Sequence, residues 1–124
     1  MQSRRPTAKE LHAKVRAALE ATTAGDYQFL THEHLVASLD DLGLENEDAL
    51  IDLIVEILRS LSRSDPLACY AGQKPPTKSY ERLIHGLDLW AFACFSATVN
   101  LTIYLKFALK QGVYVHLSCH EDLP

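Results

Sequence analysis

The sequence predicts an α+β domain in which two or three N-terminal helices pack on one face of a small antiparallel sheet. In the first half of the chain, apolar residues recur at the helical period of about 3.6. Beyond residue 66 the period changes to two, which is typical of strands with one buried face. A block of helices followed by a block of strands favours an antiparallel sheet over a parallel one.

The length of 124 residues fits a single domain spanning residues 1–124. We divide it into a helical part at 1–63, an irregular loop at 67–84 and antiparallel strands at 88–120. A chain of this size buries roughly two thirds of its unfolded surface, so it needs neither disulfides nor a structural metal in order to fold.

Three helices are predicted in the first part, each beginning after a side chain that can accept hydrogen bonds from free amides of the first turn. They run from Thr7 to about Gly25, from Thr31 to Gly43 and from Asn46 to Arg63. In the first helix, Glu10 is placed to reach back to the Thr7 amide and complete a capping box. The third helix has the widest apolar stripe, which predicts that it packs against the sheet or another helix.

Three strands are predicted, at residues 88–96, 99–107 and 113–120. In the last two, apolar residues alternate with polar ones, so we expect one set to be buried and the other exposed. Pairing Lys106 with Tyr114 places polar residues opposite each other, with Tyr104 opposite His116 and a loop at 109–111. A register shifted by two residues would keep the same faces. The exposed face is then predicted to carry Tyr104, Lys106, Tyr114, His116 and His120.

This mixture of side chains suits cleavage of a phosphodiester. Lysine offsets phosphate charge, histidine transfers protons near neutral pH, and tyrosine donates a hydrogen bond or stacks. An ordinary solvated face is the alternative, because tyrosine favours strands and lysine protects sheet edges. Metal binding is less favoured: His32 with His34, or His116 with His120, offers two nitrogens without a third ligand. We therefore expect no metal and no cofactor.

Charge is distributed unevenly along the chain. The formal net charge of −4 disfavours a non-specific nucleic-acid binder. Residues 1–66 carry seven Lys/Arg against twelve Asp/Glu, whereas residues 67–124 carry five against four. The acidic surface therefore belongs to the helical half, and the strand half remains compatible with a local, salt-sensitive contact to RNA.

Cysteine spacing and hydropathy indicate the compartment. Cys69, Cys94 and Cys119 form no CxxC pair, which suits a reducing environment. No apolar segment follows the N-terminal arginines and no apolar run approaches the roughly 20 residues of a membrane span. We expect a cytoplasmic protein without a membrane partner.

Short segments between residue 35 and the C-terminus follow one another in an order known from a protein family. They are Leu42-Gly43-Leu44, the acidic helix start at 47–52, Ser64-Asp65, the lone Trp90, the strand at 103–107 and the tail at 115–121. This order resembles the motility quorum-sensing regulator (MqsR) family of toxin ribonucleases, a branch of the RelE-like toxins.

The resemblance implies helices on one face of an antiparallel sheet whose other face cuts messenger RNA without a metal. The 2′-hydroxyl would attack the adjacent phosphate and leave a cyclic phosphate. By position, Tyr104 corresponds to the family's active-site tyrosine and Lys106 to the basic residue two positions on. His120 stands where the tail usually has a lysine and would act as the general acid, with His116 as a second candidate.

The resemblance also implies substrate and partner contacts. The family has a lysine soon after Ser-Asp, whereas Pro66 follows Asp65 here, so Lys74, Lys78 or Arg82 would supply that charge, with Tyr114 as a further substrate contact. The partners would be RNA and an antitoxin protein. The alternative is a non-catalytic interaction module or inactive relative, docking through the aromatic-rich strand at 89–95 and the acidic helical half.

Overall fold

The computed structural model describes residues 4–123, and it confirms the α+β class with the N-terminal helices packed against the sheet. The elements in chain order are α1 (Ala8–Thr23), β1 (Tyr27–Phe29), α2 (His32–Leu42), α3 (Glu47–Arg63), α4 (Pro66–Cys69), β2 (Trp90–Ser96), β3 (Leu101–Lys110) and β4 (Val113–Glu121). A single 3₁₀ turn occupies Arg82–Ile84 in the long loop between α4 and β2. Nowhere in residues 4–123 is a helix long and apolar enough to cross a membrane.

The three long helices begin at the predicted caps. Thr7 Oγ accepts from the Glu10 amide at 3.1 Å, and Asn46 Oδ1 accepts from the Ala49 amide at 2.9 Å. Thr31 caps α2 in the same way. The expected capping box is wrong in its second half, because the Glu10 carboxylate binds Arg5 at 2.7 Å instead of the Thr7 amide.

The sheet has the order β1-β4-β3-β2. The three predicted strands pair antiparallel, as expected, but the edge strand β1 is an addition that makes the sheet mixed. It lies parallel to β4, with Tyr27 opposite Tyr114 and Phe29 opposite His116. From its end the chain continues as α2 along the remaining edge of β4, where Asp41 Oδ2 accepts from the Glu121 amide at 2.9 Å.

The main core lies between α1, α3 and one face of the sheet. The apolar stripe of α3 is buried there as predicted, with Ile54 and Leu58 fully inaccessible. Their partners from the sheet include Phe92, Leu105 and Phe107. Because each such side chain stabilises the fold by about 1.5–3 kcal/mol when buried, this interface fixes the orientation of β2 and β3.

A second, smaller apolar cluster covers part of the opposite face, near the β3–β4 turn. It consists of Leu30, Ile84, Ala108, Val115 and Leu117. The loop at 77–89 lies over this cluster, and Lys110 Nζ donates to the Leu83 carbonyl at 2.7 Å. Sheet residues farther from the β3–β4 turn, around Tyr104 and His120, lie outside the cluster. The expectation of one wet face therefore holds for only part of the sheet.

The β3–β4 hairpin differs from its predicted register. Its turn consists of Gln111 and Gly112, whose φ angles of 50° and 80° are those of a two-residue type I′ turn. Lys110 consequently pairs with Val113, and Lys106 pairs with Ser118 rather than with Tyr114. The predicted loop at 109–111 was wrong because β3 continues three residues beyond Phe107.

An irregularity between Lys106 and Phe107 changes which residues of β4 face the helices. Phe107 pairs with His116 and Lys106 with Ser118, so Leu117 is the extra residue of a β-bulge. Before the bulge, Tyr114 and His116 are fully buried instead of exposed. The predicted exposure of these two side chains was therefore wrong, because a bulge reverses the alternation on which it was based.

Candidate functional site

Four polar side chains meet on the uncovered half of the sheet. Tyr104 of β3 lies opposite His120 of β4, and their rings stack with centroids 5.0 Å apart and planes 19° apart. Lys106 and Ser118 form the next pair. On the other side of β3 the sheet neighbours are Ala91 and Ala93. Because alanine is small, space remains beside Lys106 and Tyr104.

Three adjoining cavities form a groove over this cluster. The first, of about 360 Å³, lies between α2 and the end of β4 and is lined by His34, Ser118 and His120. The second, of about 300 Å³, shares His34 and Ser118 with the first and adds Lys106 and the loop residue Thr77. The third, of about 190 Å³, shares Lys106 and Thr77 and ends at Tyr104. The groove thus crosses the sheet from α2 to the loop at 71–81.

The hydrogen bonds of His120 define which of its nitrogens can exchange a proton. Nδ1 lies 2.9 Å from the carbonyl oxygen of Glu121. A carbonyl only accepts, so Nδ1 carries a hydrogen and Nε2 is the nitrogen that gains or loses one. The stacked Tyr104 has its pKa raised, first by burial and second by the charge of Asp122. Its hydroxyl is therefore a neutral donor at physiological pH.

His116 belongs to a buried hydrogen-bond chain instead of the groove surface. Its Nε2 lies 2.9 Å from Ser38 Oγ and its Nδ1 lies 3.0 Å from the Tyr114 hydroxyl. Among the described residues, Nδ1 is the one acceptor found for that hydroxyl, so Tyr114 donates to Nδ1 and Nε2–H donates to Ser38. Burial lowers the pKa of His116 to about 3. These two hydrogen bonds hold α2 against β4. The prediction that His116 transfers protons at the exposed face was therefore wrong.

The predicted substrate contacts are only partly brought to the groove. Lys78 lines it but forms an ion pair with Asp88 at 2.6 Å. Lys74 is exposed on the neighbouring loop. Arg82 lines a different depression, beside Lys110. Tyr114 is fully buried and contacts Phe107 and His116, so its predicted contact with substrate was wrong.

His34, which was not among the predicted catalytic or substrate-binding residues, lines two of the cavities. A signal was present, because His34 follows the cap Thr31 by three residues. At that position on a helix the ring can fold back to the cap, and Nδ1 lies 2.7 Å from Thr31 Oγ. This contact holds the imidazole beside the groove.

The aromatic docking surface expected at 89–95 is also not formed. Trp90 and Phe92 are buried in the main core, and Lys14 Nζ lies 5.6 Å from the Trp90 ring centre. Phe95 is the aromatic of this strand that stays exposed, at 56%. Because Trp90 and Phe92 pack in the main core, most of the apolar area that such a surface would need is not exposed.

Within residues 4–123, no three His, Cys, Asp or Glu side chains group in a way that could hold a metal ion. Burial raises the pKa of Cys119 to about 12, so this thiol stays protonated and unreactive. No protein-family model and no curated protein matches the chain.

Proposed function

We propose that the chain is a metal-independent endoribonuclease of the toxin type, held in check by a partner antitoxin, and that its open sheet face is the active site. The observation that carries the proposal is the convergence of Tyr104, Lys106 and His120 on one groove. A groove that crosses the sheet suits a polymer better than a closed pocket would. The resemblance of the sequence to the MqsR family supports the same assignment.

Each side chain has a role that fits its surroundings. Lys106 binds a non-bridging oxygen of the scissile phosphate and offsets the charge that develops in the transition state. Tyr104 donates a hydrogen bond from its hydroxyl to the phosphate and holds the His120 ring in place by stacking. His120 donates the proton on Nε2 to the leaving 5′ oxygen, because its Nδ1 is engaged by the Glu121 carbonyl.

The charges around the groove limit how tightly RNA is bound. Lys78 and Lys106 are opposed by Glu33, Asp41 and Glu81, which line the same cavities. Because few phosphates can be neutralised, RNA binding is weak and local. Its affinity falls only gradually as the salt concentration rises. Selection of a particular RNA segment would then depend on contacts to its bases and not on total charge.

The test is cleavage of a long mixed-sequence RNA by the purified chain in the presence of a chelator. His120→Gln is expected to lower the cleavage rate by about 10²–10⁴-fold, since it removes the general acid. Lys106→Ala is expected to lower it by about 10²–10³-fold, as for loss of one transition-state donor. Lys9→Ala, an exposed lysine on α1, is the matched control and should leave the rate unchanged.

The outcome separates the enzyme from an interaction module. If the wild-type chain leaves RNA intact while the variants still fold, the enzyme proposal is lost and a non-catalytic module or inactive relative takes its place. If wild type and His120→Gln cut equally fast, the activity belongs to another site or to a contaminant.

A further inference from the structure

Cleavage by the proposed route needs a group that removes the proton from the attacking 2′-hydroxyl, whereas Tyr104, Lys106 and His120 supply only the acid and the phosphate contacts. Across the first cavity from His120, the wall formed by α2 carries one other imidazole, that of His34. His34 also lines the second cavity, together with Lys106. It therefore borders both the space beside the general acid and the space beside the phosphate-binding lysine.

The hydrogen bonds of His34 leave Nε2 as its proton acceptor. Nδ1 lies 2.7 Å from Thr31 Oγ at the start of α2, so this nitrogen is engaged within the protein. Nε2 is the nitrogen left to meet substrate. A base at this position requires the tautomer in which Nδ1–H donates to Thr31 Oγ and Nε2 accepts the proton.

We propose that His34 is the general base of the ribonuclease reaction and forms an acid–base pair with His120 across the groove. The inference rests on the proposed function. Nε2 of His34 takes the proton of the 2′-hydroxyl as its oxygen bonds to phosphorus. The bond from phosphorus to the 5′ oxygen breaks, and that oxygen takes the proton from Nε2 of His120. The products are a 2′,3′-cyclic phosphate and a 5′-hydroxyl, and solvent returns both imidazoles to their starting states.

Groups of both charges surround His34. Those that titrate or are charged lie on its own helix, on β3 and β4 and on the loop, and they are Glu33, Asp41, Lys78, Glu81, Lys106, His116 and His120. The pKa of Glu33, the residue before His34, is lowered first by its own backbone amide, and the charge of His34 is among the smaller causes. The negative charge of Glu33 therefore stabilises the imidazolium that forms when the base takes a proton.

The test uses His34→Asn, because the asparagine amide can still donate to Thr31 Oγ but cannot accept a proton at the Nε2 position. His32→Asn, at the exposed first position of the same helix, is the matched control. Two RNA substrates are compared: one with the natural 5′ oxygen and one with sulfur in its place. A thiolate leaves without being protonated, so the sulfur substrate needs the base but not the acid.

We expect His34→Asn to slow cleavage of both substrates by at least about 100-fold. His120→Gln should slow cleavage of the oxygen substrate alone, and His32→Asn should match wild type. In wild type, kcat/KM should fall at low pH as the base becomes protonated. This acidic limb of the pH profile should disappear in His34→Asn, which a purely structural role of His34 would not cause. Equal thermal unfolding of His34→Asn and His32→Asn shows that the fold is retained.

Three results would overturn parts of this assignment in distinguishable ways. If wild type cuts RNA and His34→Asn keeps both its rate and the acidic limb, His34 is not the base although the proposed function stands. If His34→Asn loses activity on the oxygen substrate alone, it acts on the leaving group instead. If wild type cuts neither substrate, the proposed function and the inference fail together.

Discussion

The buried His116 predicts that the protein loses stability in mild acid. Its pKa is about 3 in the folded chain, because burial disfavours the charged imidazole, and about 6.5 in an unfolded one. Between these two values the unfolded state binds one more proton than the folded state. The stabilisation is therefore complete above pH 6.5 and is lost progressively as the pH falls toward 3.

The magnitude follows from the size of the shift. Each unit of pKa difference corresponds to about 1.4 kcal/mol, so lowering the pH from 8 to 5 costs about 2 kcal/mol through this residue alone. That is a large part of the roughly 5–15 kcal/mol by which a domain is stable. The neutral ring is held from both sides, by Ser38 at 2.9 Å and Tyr114 at 3.0 Å, and cannot move into solvent without breaking these contacts.

The assay is urea unfolding at pH 8, 7, 6 and 5, followed by circular dichroism. His116→Asn removes the titrating group, so its free energy of unfolding should fall by about 2 kcal/mol less than that of wild type between pH 8 and 5. His32→Asn, on the exposed helix start, should keep the wild-type slope. Parallel curves for wild type and His116→Asn would refute the reasoning, as would an imidazole NMR signal of His116 that titrates near pH 6.5.

Three further predictions test other contacts. Tyr114→Phe leaves His116 Nδ1 without its donor and should lower the free energy of unfolding by about 1–3 kcal/mol, whereas Tyr80→Phe on the exposed loop should have no measurable effect. Equal urea midpoints for the two variants would count against the hydrogen bond from Tyr114 to His116. Ile54→Ala should cost about 2–5 kcal/mol in the same assay, and a smaller loss would mean that the core closes around the cavity. Asp88→Asn breaks the ion pairs with Lys78 and Arg5 and should speed proteolysis of the loop at 77–89; an unchanged rate would show that the loop is held by other contacts.

Local signals predicted the helices and the middle of the sheet. Thr7, Thr31 and Asn46 cap helices where they were expected to, because a cap depends on residues within one turn. The alternation in β3 also placed Tyr104 and Lys106 on the correct face, because Ile103, Leu105 and Phe107 are buried on the other face as the alternation predicts.

The failures come from contacts between distant segments. Strand β1 has three residues and pairs with β4 almost ninety positions away, so nothing near Tyr27–Phe29 signals it. The bulge at Leu117 reverses the faces of β4 and buries His116, but the alternation of apolar and polar residues continues unbroken through it, so the sequence pattern does not reveal the shift. His34 joins the site because α2 continues along the edge of β4, which follows from the missed strand.

The most direct test of the central claim is an analysis of the RNA ends made by the chain in the presence of a chelator. A mixed-sequence RNA and its fully 2′-O-methylated copy are incubated with wild type and with His120→Gln. Wild type is expected to leave 2′,3′-cyclic phosphate and 5′-hydroxyl ends on the unmodified RNA. The methylated copy should stay intact, and the variant should cut little of either RNA. Intact RNA, cleavage of the methylated copy, or ends that carry a 5′-phosphate would contradict 2′-hydroxyl attack at this sheet face.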